Sequence, residues 1–466
     1  MTQNSKRGSN RLISNLLNTW KGFSSPFSGK QLELSAYLHE DELTGLREKI
    51  QGCLDSKGGQ VSARARAAEL GQAYLELNEE GKCKYLKLLA SEFGVDHDQV
   101  RETAEALFSD LDEDTRTKTE QKLRKQLTPP YLTLLTQFNA LPKGLKFLVD
   151  MRRDLLKIKR DNPELAPIEN ELCNQLSSWF DIGFLDLKRI DWNAPASLLE
   201  KLIAYEAVHR VKSWIDLHHR LAENRRCFAF FHPRMPDEPL IFVWVALVSE
   251  LSDNVYTLLD TSQAENIQES DRTAIFYSIT STQRGLSGVS LGDFLIKRVT
   301  DELRRELPQL NEFSTLSPIP GFSGWLKSSL ESDPDSVIST AARSDIASVT
   351  ERSIEDLLET VDWLEDAAIA DKMQSLLKPL AANYIVKQKK DNSRALDAVT
   401  HFHLSNGALV ERINWLGDTS ERGISQSYTM MVNYLYDLKR IEENHEQYIE
   451  NGTIVQSKGV ESLIEG

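Results

Sequence analysis

"RRCFAFFHPRMPDEPLIFVWVALV", residues 225–248, is the stretch on which the fold turns. Two short apolar runs, "CFAFFH" (227–232) and "LIFVWVALV" (240–248), flank the turn-like "PRMPDEP". Brief runs of aromatic and β-branched residues bounded by proline-rich turns predict consecutive strands. Further along, "TAIFYSIT" (273–280) predicts a third strand and "EFSTLS" (312–317) a fourth. Between them "FLIKRVTDELRREL" (294–307) carries the three- and four-residue spacing of an amphipathic helix. Together these segments predict an α/β core.

The chain on the N-terminal side has a different period. "GLKFLVDMRRDLLKIKR" sets Leu145, Leu148, Met151, Leu155 and Ile158 on one helical side, and Leu165, Ile168, Leu172 and Leu176 repeat the pattern. "LTPPYL" and "LPK" punctuate these helices. The predicted organisation is therefore α+β: a basic disordered tail over 1–32, a helical domain over 33–180 and an α/β domain over 181–466. Residues 335–390 return to a helical pattern inside the last of these, and "THFHLSNGALVERINW" with "ISQSYTMMVNYLYDL" closes it with a mixed one.

Bulk properties exclude several classes. The 466 residues carry a net charge of −15, which argues against non-specific nucleic-acid binding. No stretch approaches the roughly 18 apolar residues of a membrane span. Cys53, Cys83, Cys173 and Cys227 include no CxxC pair, so neither a zinc site nor a disulfide framework is indicated, and a reducing compartment follows. His218 and His219 are adjacent, and no HExxH occurs, so no metal cofactor is expected. The first 32 residues hold five Lys or Arg and no acid, a composition shared by disordered tails and transit peptides. A cytoplasmic protein is expected, with the mitochondrial matrix as the alternative.

Four segments carry candidate chemistry. "STQRGLSGVSLGDFLIKRV" (281–299) reads strand, glycine-rich turn, helix, a layout that offers backbone N–H groups to phosphate oxygens. It is neither a Walker A loop nor GxGxxG, and glycines also serve plain strand–helix turns. "TLSPIPGF" (315–322) places Ser317 before a stiff Pro-Ile-Pro-Gly turn, either as a strand-ending hydroxyl or as a catalytic one. "HFHLSNGAL" (401–409) reads as a strand with His401 and His403 on one face, closed by an Asn406–Gly407 turn. "MMVNYLYDL" (430–438) reads as an amphipathic helix bearing Tyr436, whose phenol is either core packing or a site group.

With these blocks in order, the chain resembles the malonyl-CoA decarboxylase family. The matching residues are "RRCFAFFHPRMPDEPLIFVWVALV", "AIFYSITSTQRGLSGVSLGDFLIKRV", "LPQLNEFSTLSPIPGF", "HFHLSNGALVERINW" and "MMVNYLY". The resemblance implies a helical N-terminal domain used in oligomerisation, up to a homotetramer. It also implies a catalytic domain like GNAT-type acetyltransferases with helical insertions. It places a CoA-phosphate loop at Ser287, Gly288, Val289, Ser290, Leu291, Gly292 and Asp293. It gives Ser317 and His403, not His401, as catalytic, and Tyr436 as an active-site position. The implied reaction converts malonyl-CoA to acetyl-CoA and CO2 with no cofactor, CoA being part of the substrate. An enolate would be protonated by His403 near its ordinary pKa of about 6.5.

Overall fold

The computed structural model describes residues 19–20, 32, 34–56, 59–262, 266–289, 295–390 and 393–465. The chain is mixed helix and sheet and divides into two compact units. The first comprises 1–186, 231–239 and 282–290, and the second 187–230, 240–281 and 291–466.

The first unit is built on the helices running from Glu40–Leu54 to Ala166–Trp179. Their apolar stripes meet in a core where Leu86, Leu134, Leu145, Leu148, Leu155 and Leu176 are fully buried. Phe147 lies edge-on to Phe138, Tyr74 and Trp20. Trp20 therefore departs from the reading of 1–32 as a disordered tail. Its indole is fully buried and donates to the Pro142 carbonyl at 2.8 Å, so an aromatic anchor outweighs the polar composition around it.

Arg152 ties the helices to the turn at 284–289. It is buried, its Nε and Nη2 donate to Glu169 Oε1 at 3.0 and 2.8 Å, and Nη1 donates to the Gly285 carbonyl at 2.7 Å. Lys159 engages the second Glu169 oxygen. A buried ion pair is tolerable because the guanidinium and both carboxylate oxygens are hydrogen-bonded.

The second unit is organised by one eight-stranded sheet. The strands are β1 (Asp186–Ile190), β2 (Arg225–His232), β3 (Met235–Val248), β4 (Thr273–Ser281), β5 (Glu312–Thr315), β6 (Ser317–Pro318), β9 (Leu409–Asn414) and β10 (Met431–Leu435). Two short strands, β7 (Lys389–Lys390) and β8 (Arg394–Ala395), pair separately. The sheet runs β1-β2-β3-β4-β5-β10-β6, with β9 also on β10. β4 and β5 are parallel over Thr273↔Glu312 to Phe276↔Thr315, and the Leu316 amide still reaches the Phe276 carbonyl at 3.1 Å. β4 then continues along β3 to Ser281, while the strand holding Ser317 stays with β10. Among the described residues, Tyr277 to Ser281 have no strand partner on the β5 side. β4 also carries an extra residue there: Ser278 pairs with Trp244 and Phe276 with Val245, leaving Tyr277 as a bulge.

Two sequence expectations change here. His401 and His403 lie on a helix, Ala398–Ser405, not on a strand. Asp397 caps its start, accepting from the Val399 and Thr400 amides, and that local signal outweighs the alternation of His and Phe. Asn406–Gly407 is accordingly the helix end rather than a hairpin. Gly407 has φ +80°, its amide bonds the Leu404 carbonyl, and the Ala408 amide bonds the His403 carbonyl, the paired bonds of a Schellman ending. Conversely, Tyr436 does not ride on a helix: Met431–Leu435 is a strand whose first four residues are all buried. Buried on both faces, it has no polar side to reveal its period. No helix among the described residues is long and apolar enough to cross a membrane.

Two glycines give a direct test of this packing. A Cβ on Gly285 would collide with the Val149 backbone carbonyl. Gly285→Ala should therefore cost about 1–3 kcal/mol, read as a lower urea midpoint. Gly324, on the helix Phe322–Ser332, meets nothing within 4 Å. Gly324→Ala should instead leave the midpoint unchanged or raise it, since alanine is favoured over glycine in helices by about 1 kcal/mol.

Candidate active site

Ser317 sits at the end of the strand that β10 holds, two residues beyond Thr315 on the same face. Its hydroxyl donates to Thr315 Oγ1 at 2.9 Å and lies 3.0 Å from His403 Nε2. The other imidazole nitrogen, Nδ1, is 2.8 Å from the Tyr436 hydroxyl. Tyr434, two residues before Tyr436, stacks its ring on the imidazole with centroids 4.5 Å apart and planes at 25°. The structure thus brings Ser317, His403 and Tyr436 into one hydrogen-bonded line, and all three are buried.

His401 goes elsewhere. Two helical positions are about 200° apart around the axis, and its Nδ1 meets the Tyr448 hydroxyl at 2.8 Å. Of the loop residues, Ser287 and Gly288 are exposed and Val289 is buried. Gly288 has φ +79° with open space where a side chain would point. Ser290, Leu291, Gly292 and Asp293 lie outside the described residues. Among the described residues, no group of three or more His, Cys, Asp or Glu is placed to hold a metal ion.

Burial sets the charge state of this line. It pushes the His403 pKa down to about 3, so the imidazole is neutral at physiological pH rather than part-protonated as its ordinary value suggests. Burial also raises the Tyr436 phenol well above its usual pKa, so it keeps its hydrogen. Among the described residues Tyr436 Oη has a single hydrogen-bond partner, Nδ1, and donating there uses its one hydrogen. The imidazole hydrogen then resides on Nε2, directed at Ser317, which donates onward to Thr315. This is the reverse of a Ser–His–carboxylate triad, where the acid keeps the hydrogen on Nδ1 and frees Nε2 as a base. In this tautomer Nε2–H faces the Ser317 oxygen, and the Ser317 hydrogen points away from the imidazole.

Comparison with known proteins settles the lineage. Residues 183–466 match the model of the malonyl-CoA decarboxylase C-terminal domain, and residues 93–180 that of its N-terminal domain. The chain belongs to the malonyl-CoA decarboxylase family. It is 39% identical over 426 residues to mitochondrial malonyl-CoA decarboxylase of Anser anser anser, covering 86% of this chain and 84% of the relative. The Rattus norvegicus protein of the same name is 36% identical over 423 residues, covering 86% of each. The crystal structure of malonyl-CoA decarboxylase from Rhodopseudomonas palustris superposes with a TM-score of 0.83 at 39% identity, over 90% of this chain and 99% of that one. The structure from Agrobacterium vitis gives 0.79 at 38% identity, with the same coverage.

Sequence reasoning about this family member missed Thr315, Thr400, Tyr434 and Asp397. Three had a local signal: Thr315 and Tyr434 stand two residues from Ser317 and Tyr436, and Asp397 precedes the helix as an N-cap. Thr400 had none; its hydroxyl meets Tyr434 Oη at 2.7 Å across 34 positions of sequence.

The neutral imidazole has a consequence for stability. Between pH 6.5 and about 3 the unfolded chain binds a proton at His403 that the native state does not, so stability falls as pH falls through this window. Near pH 4–5 this one group contributes a slope of about 1.4 kcal/mol per pH unit. Buried His209, pushed down to about 4, adds a second such term. Urea unfolding from pH 7 to 4 should show a steeper loss for the wild type than for His403→Asn, by about one proton. Equal slopes would mean that His403 titrates normally in the folded protein.

Proposed function

We propose that the chain decarboxylates malonyl-CoA to acetyl-CoA and CO2, with Ser317, His403 and Tyr436 as its catalytic groups. The observation that carries this reading is the buried hydrogen-bonded line Tyr436–His403–Ser317. Breaking the bond to the malonyl carboxylate sends its electron pair into the thioester as an enolate. The barrier reflects charge arriving on that oxygen, and one well-placed donor there typically lowers it by about 2.7–4 kcal/mol. The enolate carbon then takes one proton, which the overall reaction consumes.

His403 supplies that proton through a cycle set by its burial. A malonyl carboxylate entering beside the imidazole favours the charged form, so a proton is taken up with the substrate. The Tyr436 hydroxyl turns from donor to acceptor as Nδ1 gains its hydrogen. When CO2 leaves, the anion passes to the enolate. Nε2 then gives its proton to the enolate carbon, directly or through the Ser317 hydroxyl, and His403 returns to neutral.

A GNAT-like mode of CoA binding fits the sheet. β4 and β5 are parallel and part company after Leu316, a divergence of neighbouring strands that suits the entry of a pantetheine arm. The chain leaving β4 enters the glycine-rich turn, where Ser287 to Asp293 are proposed to hold the phosphates. Gly288, at φ +79°, suits a backbone that approaches a ligand closely. We also assign the helical unit to assembly of a homotetramer, which light scattering on the full chain tests. The compartment is proposed as cytoplasmic; the mitochondrial designation of the goose and rat enzymes favours the matrix as the alternative.

Incubation with malonyl-CoA and no acceptor should release CO2 and acetyl-CoA in equal amounts. An acyltransferase would require an added amine, and a non-catalytic scaffold would produce neither. His403→Asn should lower kcat by about 10²–10⁴-fold while malonyl-CoA still binds, the range typical of general acid catalysis. His401→Asn, which loses the bond to Tyr448, should stay within a few-fold of wild type. The opposite pattern would remove His403 from the proposed role.

A further inference from the structure

We propose that Asp397 is a positioning residue for the decarboxylation, the brace that fixes Ser317 and His403 relative to each other. The inference rests on the decarboxylase reading of the site. Ser317 and His403 are separated by 86 positions and come from different elements. Their 3.0 Å contact therefore depends on something that holds the strand end and the helix start in register. Asp397 touches both. Oδ1 accepts from the Val399 amide at 3.0 Å, the Thr400 amide at 2.9 Å and Thr400 Oγ1 at 3.2 Å, capping the helix that carries His403. Oδ2 accepts from the Gly321 amide at 3.3 Å, in the turn directly after Ser317.

The brace continues on the far side of the imidazole. The Thr400 hydroxyl, held by Asp397, also meets Tyr434 Oη at 2.7 Å, and the Tyr434 ring is the one stacked on His403. One carboxylate thus governs the helix start, the loop after Ser317 and, through Thr400, the plane of the imidazole. The fit at Gly321 is close: a Cβ there would collide with the Tyr384 hydroxyl and approach Asp397 Oδ2 at 3.5 Å. Asp397 is itself 2% exposed, so water does not substitute for it. A carboxylate is suited to the task because both oxygens accept; an amide has only one acceptor.

Asp397→Asn separates bracing from capping. Asparagine caps a helix as well as aspartate, so the helix persists, but its NH2 faces the Gly321 amide and that bond is lost. With full-length protein and malonyl-CoA as substrate, kcat should fall at least tenfold while KM stays within twofold and Tm within a few degrees. A kcat within twofold of wild type overturns the proposal, as does a loss confined to KM. Should Asp397→Asn fail to fold, Thr400→Val and Thr400→Ser decide. A kcat lowered by Val and restored by Ser supports the brace, and a fully active Thr400→Val overturns it.

Failure of the decarboxylase reading is distinguishable, because the wild type would then release no CO2 in the same assay. The brace is then read from 15N-histidine NMR, with His403 assigned by its loss in His403→Asn. Altered ring-nitrogen shifts in Asp397→Asn support it, and unchanged shifts overturn it.

Discussion

The register of β10 against the strand 312–318 is the constraint on which the site depends. Leu435 pairs with Ser314 and Val432 with Ser317, one unbroken antiparallel register across both β5 and β6. Residues two apart on a strand share a face, so Thr315 and Ser317 stand together on one strand and Tyr434 and Tyr436 on the other. The Tyr434 amide binds Thr315 Oγ1 at 3.2 Å, locking the two pairs. A slip of β10 by one residue would turn Tyr434 and Tyr436 to the face opposite Thr315 and Ser317 and leave the imidazole without its partners. β4 has no such hold beyond Leu316, and the parting of the strands follows from β10 keeping what β4 releases.

What that register delivers is a dry, polar niche. Thr315 and Thr400 are fully buried, and His403 is 2% exposed. Polar groups so placed persist only when hydrogen-bonded, and here each finds a partner within the network. The identity of the residue at Nδ1 then selects the chemistry. A carboxylate there would stabilise an imidazolium permanently and leave Nε2 a base in the neutral state. A phenol that holds its hydrogen does neither; it fixes the opposite tautomer and leaves the imidazole uncharged.

Much of the fold was legible because the relevant patterns were local. The strands at 227–232, 240–248, 273–281 and 312–315 and the helix Leu295–Glu306 follow from apolar runs and helical spacing, whereas Met235–Pro239, whose prolines read as a turn, already belongs to β3. Ser317, His403 and Tyr436 came from a family resemblance, and the structure brings them within hydrogen-bonding distance. The elements carrying His403 and Tyr436 were misread for opposite reasons. At 398–405 an N-cap and a glycine ending define a helix whose His–Phe–His triplet mimics strand alternation. At 431–435 a strand buried on both faces, its one strongly polar residue Asn433 included, has no solvent side to display a period of two. The charge state of His403 was not legible at all, because it depends on burial created by residues far away in sequence.

Competing effects on His403 can be ranked by size. A shift from 6.5 to about 3 corresponds to roughly 5 kcal/mol against the charged form. The imidazole lies in the last turn of its helix, where the dipole favours a cation, but that effect is typically about 0.3–1 kcal/mol. The Ala408 amide weakens it further by taking the His403 carbonyl. Stacking on Tyr434 contributes about 0.5–1.5 kcal/mol. A carboxylate about 4 Å away, at the effective dielectric of a partly enclosed site, is worth about 4 kcal/mol. Of these terms only the substrate's own charge approaches the cost of burial. Proton and malonyl carboxylate therefore enter the pocket together on the proposed mechanism. As CO2 leaves, that charge moves onto the enolate, and transfer of the imidazolium proton to the enolate carbon neutralises both.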